Sequence, residues 1–340
     1  MDTRRSRFSG WLASSILVSA MLAGCGGGPD GGAASALPPP ANPCPSLQSG
    51  VDLLPGTTAA PACAEASAPV TSSYAPGPDH LLDLYRPASG SGPFATVIWI
   101  HGGGWREGSR TQAEQAKRLV CRGYAVASID YRLSGTAKFP AQIQDVKAAI
   151  RYLRANATAY NLDGTRFATF GSSAGGHLAS LAATSAGIAA LEDLSQGNAS
   201  TSSAVQAAIA WFGPVDLGKM DSQLLAQGCP PGAATHGLAT SPESQFLGCT
   251  VNDPACAATI AMANPITYLG PNSPPMYILH GTEDCTVPMA QSDLLKAALE
   301  SAGRCVTKRN VAGAGHGGAQ WQTAPPQDAV ATFLDAVFKR

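Results

Sequence analysis

Apolar residues in this chain come in short runs that alternate with longer stretches of helical periodicity. Ala95 to Ile100, Tyr124 to Ile129 and Met276 to Leu279 are nearly unbroken apolar runs bounded by glycine or proline signals. That pattern predicts strands buried on both faces. His80 to Tyr85 alternates instead, which predicts a half-exposed strand. Arg166 to Phe170, Ala204 to Trp211 and Val306 to Val311 complete the strand set. Ile143, Val146, Ala149, Ile150 and Leu153 recur at helical spacing and predict an amphipathic helix over Pro140 to Tyr160. Ser109 to Arg122 predicts another helix, with Ser109 as its cap, and His177 to Ala183 a third. Strands alternating with helices predict an α/β fold, a mostly parallel central sheet flanked by helices on both faces. Residues 217–264 break the rhythm. They are rich in Gly, Pro, Cys and Gln, and predict a small Cys-rich cap or loop insertion over one end of the sheet. The folded domain is expected to span residues 69–340.

Charge changes the picture only by exclusion. The net charge is −1 and charged residues are 13% of the chain, so no basic stripe exists to attract a nucleic-acid backbone. The first 24 residues have the layout of a signal peptide. Arg4, Arg5 and Arg7 precede the apolar stretch Trp11 to Ala23, which is too short to span a bilayer comfortably. It ends in Leu22-Ala23-Gly24-Cys25, which resembles a bacterial lipobox. That resemblance implies a lipid on Cys25, a membrane partner for the anchor, and a place in the bacterial envelope. Residues 25–68 are expected to be a tether, because 15 of the 18 residues from Gly26 to Pro43 are Gly, Pro, Ala or Ser. The nine cysteines fit an oxidising compartment. Cys249 and Cys256 flank a turn signal and are expected to pair locally. Cys44 and Cys63 are a candidate staple, and Cys121 a candidate buried thiol. No Cys or His spacing matches a metal ligand set, so no metal site is expected.

The chemistry concentrates at strand ends. Gly171-Ser172-Ser173-Ala174-Gly175 lies between a predicted strand and a predicted helix, the layout of a sharp turn that lifts Ser173 above the sheet. His101-Gly102-Gly103-Gly104 follows the Ala95–Ile100 strand. His280-Gly281-Thr282-Glu283-Asp284 follows the Met276 strand, and Gly313-Ala314-Gly315-His316-Gly317 follows the last one. The order of glycine loop, serine, acid and histidine resembles the α/β-hydrolase family, in its HGGG esterase and lipase branch. Further stretches, Asp83-Leu84-Tyr85-Arg86-Pro87, Asp130-Tyr131-Arg132-Leu133 and Gly171 through Ala179 among them, look like bacterial carboxylesterases related to bifunctional feruloyl and acetyl-xylan esterases.

The resemblance implies ester hydrolysis through an acyl-enzyme with no cofactor. The expected roles are Ser173 as nucleophile, His316 as its base and Asp284 as the orienting acid. Glu283 and Asp216 are the rival acids. The match to Gly281-x-x-Asp284-x-x-Val287-Pro288 favours Asp284, and Asp216 reads as a helix cap. Backbone N–H groups of Gly103, Gly104 and Ala174 are the expected oxyanion hole. Trp105, Trp211 and Trp321 are candidates for a substrate pocket, with Trp105 foremost. His101 is expected to hold its own loop, His177 to pack in the core, and Asp130 with Arg132 to form an ion pair. Asp145 and Arg151 are expected on a helix surface or between elements. Two other functions fit the same scaffold, cleavage of amides by a peptidase or arylformamidase, and envelope binding without catalysis. For the anchor, radiolabelled palmitate is expected to enter the full-length protein in a bacterial host and to vanish on Cys25→Ala, read by fluorography. Label persisting in that variant refutes the lipobox reading.

Overall fold

A computed structural model describes residues 52–60, 63 and 68–339. The expected signal sequence, Cys25, Cys44 and most of the expected tether lie outside them. Eight strands form one sheet among the described residues: β1 (Val70–Ser73), β2 (Leu81–Tyr85), β3 (Phe94–Ile100), β4 (Ala125–Ile129), β5 (Leu162–Ser172), β6 (Ala207–Trp211), β7 (Met276–Gly281) and β8 (Val306–Val311). Their spatial order is β1-β2-β4-β3-β5-β6-β7-β8. The β1–β2 and β2–β4 pairs are antiparallel and the rest parallel. The helices are α1 (Glu114–Lys117), α2 (Ala141–Ala155), α3 (Ala174–Thr184), α4 (Met220–Gln227), α5 (Pro242–Leu247), α6 (Ala257–Ala263), α7 (Met289–Ser301) and α8 (Ala324–Phe338). No described helix is long and apolar enough to cross a membrane.

The strands are apolar on both faces because both faces are covered. Val97 and Trp99 of β3 pack with Val126, Phe170 and Ile209 beneath Phe333 and Leu334 of α8. Ile98 and Ile100 point the other way, onto a cluster that includes Val146 of α2 and Leu178 of α3. Full burial of each such side chain contributes about 1.5–3 kcal/mol. Parallel strands carry their C-terminal ends to one edge of the sheet, so the loops after β3, β5, β7 and β8 meet there.

Several boundaries differ from the sequence expectation, each for a local reason. The segment after Ser109 is not helical until Glu114. Ser109 spends its hydroxyl on Thr111, and Arg110 gives its backbone N–H and its guanidinium to Asp130. The helix then tightens into a 3₁₀ turn over Arg118–Arg122. Helix α2 stops at Ala155 rather than Tyr160, since Asn156 turns both its N–H and its side-chain amide back onto the Tyr152 carbonyl. The domain also begins earlier than residue 69. Leu53 is buried and pairs with β8 at Val311, donating its N–H to the Asn310 carbonyl. Residues 52–60 therefore belong to the fold and not to a free tether.

The cysteine and charge pairings are corrected as well. Cys249 pairs with Cys256 as expected. Cys63, however, is bonded to Cys121, which removes both the Cys44–Cys63 staple and the free Cys121 thiol. Cys229 is bonded to Cys285, and Cys305 is also in a disulfide. Asp130 pairs with Arg110 and not Arg132. Arg132 instead grips Asp145, a fully buried carboxylate on α2 that also receives Gln196 and lies 3.2 Å from His80. Arg151 likewise joins elements, through Glu192.

Burial alone would raise the Asp145 carboxyl, but His80 and Arg132 overcome it and hold the group below its usual range. A carboxyl with a depressed folded pKa contributes stability above its unfolded value near 3.9, and that stability is lost as pH falls through the folded value. Asp145→Asn is therefore expected to cost about 3 kcal/mol at pH 7, where it leaves Arg132 without its carboxylate. The variant should also show a shallower loss of stability than the parent between about pH 5 and pH 3. Urea titrations across that range check both.

Candidate active site

The site is built on a sharp turn between β5 and α3. Strand β5 ends at Ser172, helix α3 begins at Ala174, and Ser173 between them has φ 55° and ψ −124°. A non-glycine residue rarely holds such a backbone unless its surroundings over-determine it. Here they do. Ser173 N–H donates to the Trp211 carbonyl at the end of β6, and its carbonyl accepts from His177 N–H. A Cβ on Gly171 would lie 2.2 Å from the Gly175 carbonyl oxygen, and one on Gly175 would lie 2.0 Å from the Ile100 oxygen. Both positions exclude any side chain.

The loops after β7 and β8 bring two more groups to this turn. His316 Nε2 lies 2.8 Å from Ser173 Oγ, and His316 Nδ1 lies 2.8 Å from Asp284 Oδ2. Asp284 is fully buried, while Glu283 beside it is exposed. Asp284 Oδ1 accepts the N–H groups of Thr286 and Val287, which pins the carboxylate within its own loop. Burial acts to raise this carboxyl, but His280 and His316 outweigh it and hold it far below the ordinary carboxylate range. The acid is thus fully ionised at neutral pH, with two backbone N–H groups on Oδ1 and His316 on Oδ2. Asp216 makes no contact with this relay and has other partners, Lys219 and Gln291. It sits at a helix cap position without a capping hydrogen bond.

The glycine loop after β3 lies across from the serine. Gly103 has φ 104°, and its carbonyl accepts the N–H groups of Arg106 and Glu107 to close the turn. A Cβ there would meet the Glu107 oxygen at 2.2 Å. The N–H groups of Gly103 and Gly104 donate to no other described residue, and Ala174 N–H is a free donor at the first position of α3. His101 is buried and holds the loop. Its Nδ1 lies 2.8 Å from the Gly102 oxygen, and its ring stacks on Tyr131 at 4.3 Å. His177 is fully buried with Nε2 on the Ala263 carbonyl, and burial lowers its pKa to about 4.

A cavity of about 380 Å³ opens over Ser173, lined by Gly103, Gly104, Trp105, Phe212 and His316, and on its far wall by Pro242 and Glu243. Of the three candidate tryptophans only Trp105 lines it. Trp211 and Trp321 pack on each other in the core, 5.1 Å apart. No group of three or more His, Cys, Asp or Glu among the described residues is placed to hold a metal ion.

Sequence reasoning passed over the residues that brace this site. Phe212 stands edge-on to His316 at 4.7 Å. Its place at the end of β6, beside the serine strand, was the available signal. His280 lies one helical turn before Asp284 in sequence and sits 3.5 Å from it. Residues 217–264 fold as short helices and grip the acid loop at several points. Gln227 donates to the Asp284 carbonyl and accepts Met289 N–H, Cys229 is bonded to Cys285, and the His236 ring hydrogen-bonds the Thr286 backbone.

Comparison with known proteins points the same way. The BD-FAE family model matches residues 82–299. The chain is 34% identical over 278 residues to the esterase LipQ of Mycobacterium tuberculosis, covering 78% of this chain and 62% of that protein. It is 30% identical to the esterase LipC of the same organism, covering 78% and 64%. The chain therefore spans about three fifths of the length of these curated relatives. Among solved structures, a truncated carbohydrate esterase from gut microbiota superposes with a TM-score of 0.73 at 31% identity, covering 82% of this chain and 99% of that one. A bifunctional GH43-CE protein from Bacteroides eggerthii gives 0.70 at 36% identity, covering 79% and 38%.

The Cys229–Cys285 bond closes a loop of 56 residues, against 7 for Cys249–Cys256. Removing the first by paired Cys→Ser substitution is expected to cost about 4 kcal/mol, and removing the second about 2 kcal/mol. Denaturant melts of the two double variants check the order. Equal losses contradict it.

Proposed function

Because the chain belongs to the BD-FAE family, we propose that it is a carboxylic-ester hydrolase working through Ser173, His316 and Asp284. The observation that carries the reading is the unbroken relay from Asp284 Oδ2 through both ring nitrogens of His316 to Ser173 Oγ, each link 2.8 Å. Ser173 Oγ attacks the ester carbonyl carbon as His316 Nε2 takes its proton. The carbonyl oxygen becomes an oxyanion that the N–H groups of Gly103, Gly104 and Ala174 stabilise. Collapse breaks the bond to the leaving alcohol, which departs with the proton from His316 and leaves an acyl-serine. Water, deprotonated by the same histidine, then releases the carboxylic acid and restores the enzyme. Asp284 keeps the imidazole in the tautomer with its proton on Nδ1 and stabilises the imidazolium.

The substrates we infer are short-acyl esters, acetyl or hydroxycinnamoyl esters of carbohydrates among them. The names of the solved carbohydrate esterases and the modest cavity support this range. The signal-like pattern of residues 1–24 and the lipobox-like Leu22-Ala23-Gly24-Cys25 support attachment of the domain to an envelope membrane by a lipid.

Ser173→Ala and His316→Ala are each expected to lower kcat on p-nitrophenyl acetate by about 10⁴-fold or more, and the double variant by little beyond either one. Asp284→Asn should lower it by about 10⁴-fold through the wrong tautomer. A double variant that loses the product of the single losses shows that the two residues do not act as a unit. A p-nitroanilide of the same acyl group is the control, and faster cleavage of the anilide identifies an amidase instead.

A further inference from the structure

We propose that Arg106 is a specificity-determining residue, which favours esters that carry a carboxylate elsewhere in the molecule. This rests on the ester-hydrolase reading above. Arg106 lines the cavity over Ser173 and is exposed. Its guanidinium has no ion pair, hydrogen bond or ring contact among the described residues. Its place is given by Gly104, whose N–H is one of the proposed oxyanion donors. Arg106 Nε comes within 3.9 Å of the point where a Cβ on Gly104 would stand, and Pro242 Cβ within 3.1 Å of the same point. The cation therefore stands where the glycine loop meets the opposite wall of the cavity, open to solvent and to substrate.

The negative groups nearby are engaged, with one exception. Glu243 is buried, with Oε1 2.9 Å from His236 Nδ1, and Asp284 is held by His316. Glu107, next to Arg106 in sequence, is exposed and unpaired, and it opposes an incoming anion. It leans toward a different glycine. Its Cγ lies 2.9 Å from the point of a Cβ on Gly103. Glu107 also lines an adjoining cavity of about 460 Å³ together with Gln112 and Glu114, whereas Arg106 lines only the cavity over Ser173. The two neighbours act on an anion with opposite signs, so their substitutions must move its preference in opposite directions.

The chemistry of the group selects a carboxylate. A guanidinium is a flat fork of N–H donors that meets a carboxylate through two parallel hydrogen bonds. A single cation suits a single negative charge. A phosphate monoester, with nearly two charges, calls for a second cation. The other basic side chains of the lining are His316, which the reaction uses, and His236, which Glu243 holds. Arg106 also projects from a fixed base. Its N–H and that of Glu107 donate to the Gly103 carbonyl, and Trp105 before it is buried and stacks on Phe246 at 4.4 Å. Binding therefore has to order only the torsions of one side chain and not the loop that bears it.

The test uses two matched pairs of esters. p-Acetoxybenzoate against p-acetoxybenzamide puts the carboxylate on the leaving group. The p-nitrophenyl monoester of adipic acid against that of adipic monoamide puts it on the acyl chain. The quantity read is kcat/KM for the carboxylate divided by that for its amide. In at least one pair the parent ratio is expected to exceed one, to fall about fivefold in Arg106→Gln and to rise in Glu107→Gln, the size of effect one exposed charge pair supplies. Arg106→Lys keeps the charge and is expected to retain part of the preference. In the responding pair, salt raised to about 0.5 M should bring the parent toward Arg106→Gln, since exposed charges are screened. The pair that responds identifies the side of the ester that meets Arg106. Thermal melts establish that each variant is folded, and if Arg106→Gln is not, the salt dependence of the parent decides the question. A parent ratio at or below one in both pairs, or a folded Arg106→Gln that matches the parent in both, overturns the proposal. Ratios that fall together in Arg106→Gln and Glu107→Gln report a loss of loop shape and overturn it as well. Parent protein that hydrolyses the amides without preferring their carboxylates leaves the esterase reading intact. Parent protein that hydrolyses none of the four, nor p-nitrophenyl acetate, overturns the esterase reading itself.

Discussion

Everything at the site depends on how closely α3 approaches the ends of β3 and β6. The backbone at Gly171 and Gly175 leaves no room for a single added carbon, because carbonyl oxygens already occupy that space. This contact sets the distance between the serine turn and the loop after β3 by backbone packing alone. Side chains, which exchange rotamers, have no part in it. Ser173 is held in a backbone conformation it would not adopt freely, and the hydrogen bond from its N–H to Trp211 keeps it there. Ser173 is therefore placed before any substrate arrives, as the attack proposed for it requires.

The segment over residues 217–264 is a second wall and not a flap. It touches the acid loop through Gln227, Cys229 and His236, and the glycine loop through Pro242 and Phe246. Its far end is tied to α3, where the Ala263 carbonyl meets His177. It spans the cavity between the loop that carries Asp284 and the glycine loop after β3, and contacts both. A segment with so many attachments constrains the shape of the cavity and the position of Asp284 together. Access to Ser173 is correspondingly set by fixed walls.

The residues proposed to react could be picked out of the sequence because each sits at the end of an apolar run, next to glycines that mark a sharp turn. That signal is local, and the sheet converts it into proximity. The pairings were not legible. Asp130 and Arg132 are two residues apart, yet each finds a different partner, Arg110 and Asp145, because the chain leaves the sheet at the end of β4 and no longer keeps the strand's alternation. Cys63 reaches Cys121 for the same kind of reason, since the path of the chain before β1 has no periodicity to read. His236 and Glu243 belong to a segment of short helices with no apolar stripe of their own, so nothing in their spacing announced that they would meet beside a cavity.

The course of the chain before β1 has one more consequence. Leu53 pairs with Val311 on β8, the last strand of the sheet, and Cys63 is then bonded to Cys121, in the 3₁₀ turn that leads into β4. An outermost strand presents unpaired N–H and carbonyl groups that invite a strand from another molecule. By laying its own early residues along β8, and fixing the chain a few residues later with a covalent bond, this protein occupies part of that edge itself. Around Leu53 the backbone groups of Asn310 and Ala312 are thus already paired within the chain and are closed to a strand from outside.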